Sequence, residues 1–168
     1  MICTLDEARA LKPELKEVED ALLSLQLSAA EELIRAYTGN RFHDRAALFA
    51  AEFDGEKLLG GQDLVSPGDT LELMRPAGAA LMEVTKVAEE GVYLSGMPRP
   101  ALYRVARVSY PAGVKAAALD LVCWKRRRLP GVKSETLSRH AVSYGDNGRF
   151  GCPAELLEPL RGWRRLRI

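Results

Sequence analysis

Residues 14–40 read ELKEVEDALLSLQLSAAEELIRAYTGN, and this stretch sets the architecture expected of the chain. Leu15, Val18, Leu22, Leu25, Ala29 and Ile34 step mostly by three and four, which places them on one buried stripe of a helix over residues 14–38. Ser24 and Ser28 interrupt the stripe without breaking it. Gly39 and Asn40 close the helix, because both reach the left-handed conformation of a C-cap. At about 1.5 Å of rise per residue it runs about 37 Å, close to the diameter of a compact domain of this size. It is expected to be the spine of the fold.

Upstream, Thr4, Leu5, Asp6 and Glu7 read as a capping box that opens a short helix ending before Pro13. Downstream, residues 46–110 change to short β-type runs separated by turn signals. Residues 49–53 meet Asp54-Gly55, a two-residue hairpin pair. Ser66, Pro67, Gly68 and Asp69 turn the chain into residues 70–74, with Leu71 and Leu73 on one face. Further runs at 81–87, 92–94 and 103–108 suggest a small antiparallel sandwich or partial barrel of about 60 residues.

Helix returns at Pro111, a residue suited to a first helical position. Val114, Ala117, Ala118, Leu121, Val122 and Trp124 form its apolar face, and Pro130-Gly131 stops it. A loop over 132–138, a strand-like piece over 140–144 and a glycine-rich turn lead to a last helix over 153–160. The fold class expected is therefore α+β. A helical core (residues 1–45 and 110–168) would carry a small inserted antiparallel β module (residues 46–109).

The chain has 168 residues, 47% of them apolar and 28% charged, which suits one globular core and argues against disorder. No apolar run approaches the roughly 20 residues of a membrane helix, and no basic-then-apolar leader opens the sequence. Three widely spaced cysteines, Cys3, Cys123 and Cys152, indicate neither a disulfide framework nor a zinc cluster. A soluble protein made in a reducing cytoplasm is expected. The net charge of +1 hides a polarity: residues 1–100 hold ten basic and eighteen acidic side chains, residues 101–168 fourteen and five. Such segregation suits subunits that meet acidic face to basic face, or a basic end that seeks an acidic partner.

The residues that catalysis or metal binding would need are missing. His43 and His140 have no ligand partner at a suitable spacing, and the cysteines lack a nucleophile's setting. Gly60-Gly61 and the glycines of 145–151 match no phosphate-binding pattern, so they read as turns. Glu31-Glu32 and Glu89-Glu90 are poorly placed for acid–base work. No enzyme activity, metal or cofactor is expected.

Two basic groups remain. Lys125, Arg126, Arg127 and Arg128 end a helix, where the macrodipole favours cations by about 0.3–1 kcal/mol each. Arg161, Arg164, Arg165 and Arg167 interleave with Leu160, Trp163, Leu166 and Ile168, a composition typical of interface anchors. Contact of either group with a phosphate backbone would make the chain a small nucleic-acid-binding module working through its basic C-terminal half, the alternative function class.

Five short stretches carry a family resemblance. They are Thr4-Leu5-Asp6-Glu7-Ala8, then residues 29–42 (AAEELIRAYTGNRF), then residues 110–117 (YPAGVKAA) followed by Lys133-Ser134-Glu135-Thr136-Leu137 and Val142-Ser143-Tyr144. In that order they resemble the head–tail connector (adaptor) proteins of tailed bacteriophages and prophages, over residues 1–42 and 110–168. The β module departs from the shortest family members. The resemblance implies a structural virion neck protein, assembled in the host cytoplasm and forming a homo-oligomeric ring under the portal protein. Genomic DNA would pass through the ring, and a downstream neck or tail-completion protein would follow it. It implies that Arg161, Trp163, Arg164, Arg165, Leu166, Arg167 and Ile168 dock on the portal. Lys125, Arg126, Arg127, Arg128, Ser134, Glu135 and Tyr144 would face a neighbouring subunit or the channel.

Overall fold

A computed structural model describes residues 2–74, 80–127 and 151–165, and the backbone of 134–137 and 140–143. The chain divides into two compact units, one formed by residues 1–40 with 110–168 and the other by residues 41–109.

In the helical unit, α1 (Leu5–Leu11) opens on the capping box: Glu7 N donates to Thr4 Oγ1 (3.1 Å) and Thr4 N donates to Glu7 Oε2 (3.1 Å). A 3₁₀ turn over Pro13–Leu15 follows, and α2 runs only from Asp20 to Thr38. The single helix expected over 14–38 is thus corrected. The Val18 carbonyl accepts from the Arg9 guanidinium (2.8 Å), which also pairs with Asp20, so the chain bends there and the helical ladder restarts at Glu19.

That bend shifts the phase of the apolar stripe. Leu23, Leu27, Ala30 and Ile34 are the buried apolar residues of α2, while Leu22, Leu25 and Ala29 face outward. Counting by threes and fours from Leu15 and Val18 carries the period across a break that the helix does not span. The C-cap is Gly39 at φ +62°, as its position after Thr38 requires.

The third helix, α3 (Ala112–Arg127), buries Val114, Ala117, Ala118, Leu119, Leu121, Val122 and Cys123. Tyr110, just before it, donates its hydroxyl to buried Glu31 of α2 (2.8 Å), tying the two helices together. Burial and the Glu31 carboxylate hold the Tyr110 phenol far above its usual range. The final helix is shorter than expected: α4 covers Ala154–Leu157, and a 3₁₀ segment, Glu158–Trp163, replaces its continuation. Pro159 has no amide to donate to Glu155, so the α ladder cannot extend past it. Leu157 and Leu160 are buried.

The second unit overturns the expected fold class. It is not a small insert on a helical core but a closed six-stranded antiparallel barrel with its own hydrophobic centre. Its strands are β1 (His43–Phe53), β2 (Leu58–Leu59), β3 (Thr70–Met74), β4 (Ala80–Ala88), β5 (Gly91–Leu94) and β6 (Ala101–Val108). They close in the order β1-β2-β5-β4-β3-β6. Closure depends on β6, which pairs with β1 along one edge (Phe49 opposite Val105, Phe53 opposite Ala101) and with β3 along the other (Leu73 opposite Val105). Alternation reveals which side chains point inward but not that residues about 50 apart lie side by side.

Ala51, Phe53, Leu58, Val65, Leu71, Leu73, Val84, Val92, Tyr103 and Val105 fill the barrel. Each large aliphatic or aromatic side chain among them contributes about 1.5–3 kcal/mol by leaving water. The Asp54-Gly55 turn has four residues rather than two, since Phe53 pairs with Leu58. The Asp54 carboxylate accepts from the amides of Glu56 (2.8 Å) and Lys57 (2.9 Å), which organises the longer loop.

Candidate functional site

Lys125, Arg126 and Arg127 end α3 and are exposed. Arg127 Nη2 lies 2.5 Å from Glu14 Oε2 across a 220 Å³ cleft lined by Glu14, Leu15, Cys123, Arg126 and Arg127. The Cys123 thiol at its floor is pushed up to about 11 by burial and by Glu14, so it stays protonated at neutral pH. Arg128 and Tyr144 lie outside the described residues.

Ser134 and Glu135 belong to a strand, where the sequence suggested a loop. β7 (Ser134–Leu137) pairs antiparallel with β8 (His140–Ser143), Ser134 opposite Ser143 and Leu137 opposite His140. The sheet has two strands only, so each outer edge is without a strand partner among the described residues.

Of the C-terminal segment expected to dock on the portal, residues 161–165 are described, and their backbone is held on the chain itself. Arg165 N donates to the Thr38 carbonyl (2.7 Å) at the end of α2, and Asn40 Nδ2 reaches the Trp163 carbonyl (3.4 Å). The Arg164 guanidinium sits 5.2 Å from the centre of the Tyr37 ring. The first of these contacts satisfies the Thr38 carbonyl at the C-terminus of α2, one of the carbonyls a helix end leaves without an intrahelical partner. The side chains nevertheless face outward: Trp163 is 40% exposed, and Arg161, Arg164 and Arg165 are exposed. Arg161 pairs with Glu158 (2.8 Å). Leu166, Arg167 and Ile168 lie outside the described residues.

The charge polarity along the chain does not separate the two units. Residues 1–40 and 110–168 hold sixteen basic and thirteen acidic side chains, residues 41–109 eight and ten. Within the helical unit, acids of the first turns meet bases of α3: Lys115 Nζ to Glu7 Oε1 at 3.0 Å, and Arg127 to Glu14 as above. Part of the polarity is therefore neutralised within a single chain.

The sequence reading passed over one charged cluster in the barrel. Glu72 of β3 is 1% exposed and pairs with Arg41 and with His43, whose Nε2 lies 2.9 Å from Glu72 Oε2. A lone glutamate between two leucines gives no warning of burial, because its partners lie about 30 residues away. The three residues form a structural clamp between the start of β1 and β3. Among the described residues no group of three potential ligands could hold a metal ion, and no helix is long and apolar enough to cross a membrane. No known family model matches the chain, and no curated protein matches it.

Proposed function

We propose that the chain is a structural, non-enzymatic neck protein of a tailed phage or prophage. Copies of it form a ring under the portal, join head to tail in the virion and leave a central path for DNA. One observation carries the reading. The two stretches that resemble head–tail connectors, residues 1–42 and 110–168, are interrupted by a whole barrel, yet 1–40 and 110–168 form one compact unit.

Two features of that unit suit a ring. The outward stripe Leu22, Leu25 and Ala29 gives α2 a second apolar face, and Leu25 is 68% exposed. Such a face is stabilised by a neighbour's helix, and repeated copies multiply a weak contact. Among the described residues no strand pairs with either outer edge of the β7–β8 sheet, and an isolated two-stranded sheet is marginal in water, so strands of adjacent subunits can extend it.

Trp163 with Arg161, Arg164 and Arg165 supplies the portal contact, and the next neck or tail-completion protein joins the opposite face of the ring. The test is attachment to purified portal. Trp163→Ala combined with Arg164→Ala should reduce retention at least tenfold while the far-ultraviolet circular dichroism stays unchanged. Undiminished retention would remove this segment from the portal contact.

A further inference from the structure

The outer wall of the barrel presents an apolar patch where exposed strands usually carry polar side chains. On β1, Leu48, Ala50 and Glu52 point outward, alternating with inward Phe49, Ala51 and Phe53. On β6, Leu102 and Arg104 point outward beside them, with Ala50 opposite Arg104 and Glu52 opposite Leu102. Leu59 of β2 stands opposite Glu52 on its other side. Leu102 is 69% exposed, and Leu48 and Leu59 are also exposed. A shallow cleft of about 560 Å³ runs over the wall between Leu48, Ala50, Leu102 and Arg104.

The two charges of the patch occupy opposite corners of a rectangle, about 6.8 Å along the strands and about 4.8 Å across them, whose other corners are Ala50 and Leu102. Glu52 and Arg104 are exposed, and neither side chain makes an ion pair or hydrogen bond among the described residues. A two-fold axis lying along the Ala50–Leu102 diagonal sets Leu102 against Leu102 and Ala50 against Ala50. The same operation places each Glu52 over the other copy's Arg104. The strands then cross at about 70°, as the strand rise and the inter-strand spacing require. A patch whose charges complement those of its own copy about a two-fold axis suits an isologous contact.

We propose that this wall is a self-association surface, through which two copies of the chain pair barrel to barrel. The contact is separate from the ring of the helical units, and it stands or falls independently of the neck role.

Sedimentation of the full chain at increasing concentration tests it. Wild type should show a monomer–dimer equilibrium. Glu52→Arg and Arg104→Glu should each weaken dimerisation at least tenfold, because each places like charges in contact. An equimolar mixture of the two variants should regain the dimer. In the mixed pair the two substituted positions face each other with opposite charges, and the unchanged Arg104 of one copy faces the unchanged Glu52 of the other. Leu102→Ser, which replaces the self-contacting leucine, should also weaken pairing tenfold or more without unfolding the exposed wall. A wild-type chain that stays monomeric throughout, or a mixture that associates no better than its components, would overturn the proposal.

Discussion

Glu7 carries two tasks at the start of the chain: it caps the Thr4 amide and it pairs with Lys115 of α3. The Lys115 ammonium, with the Thr4 amide, holds its carboxyl below the usual carboxylate range. The folded state therefore binds this proton less tightly than the unfolded chain does. The stabilisation is complete above the ordinary value of about 4.5 and is lost as pH falls through the lowered one. Glu7→Gln should cost no more than about 1 kcal/mol at pH 7, the scale of one cap and one exposed pair. In urea titrations the gap between wild type and variant should close as pH falls below that range, and a pH-independent gap would contradict the pairing.

Glu72 is the sterner case. Glu72→Ala removes the buried carboxylate that Arg41 and His43 share and should cost the barrel about 2 kcal/mol, read from the urea midpoint of its unfolding. A loss under about 1 kcal/mol would show that the clamp does little.

Among elements, legibility followed the range of the interaction. The Thr4–Glu7 box and the Gly39 cap are set by residues three or four apart, and the sequence alone identifies both. Leu71 and Leu73 share an inward face as their alternation requires. Where a distant residue intervenes, the local pattern misleads. Arg9 takes the Val18 carbonyl and shifts the phase of α2, so Leu22 and Leu25 lie outside while Leu23 and Leu27 lie inside. Barrel closure through β6 and the burial of Glu72 are likewise products of long-range pairing, and the anchoring of the C-terminal segment on the end of α2 is another.

The exposed stripe of α2 gives the sharpest test at this scale. Leu25→Asp removes no buried contact and should change the melting temperature of the isolated chain by less than about 2 °C, since surface substitutions usually lie within about 0.5 kcal/mol. The same change should abolish assembly of copies around the portal. An assembly that tolerates it would place the subunit contact elsewhere.

For the whole molecule, the division into a helical unit and a barrel unit separates two kinds of contact. The helical unit carries the connector-like stretches, the outward leucines of α2 and the half-exposed Trp163. The barrel carries a self-complementary wall that ring formation by the helical units does not require. Charge does not distinguish the units strongly, and part of the polarity along the chain is already paired within the helical unit, so apolar faces rather than net charge drive the contacts proposed here. The decisive measurement is electron microscopy of portal particles incubated with saturating protein. A closed ring of copies coaxial with the portal, absent for Leu25→Asp, is expected. Bare portals at saturation, or single copies bound without closure, would contradict the neck role.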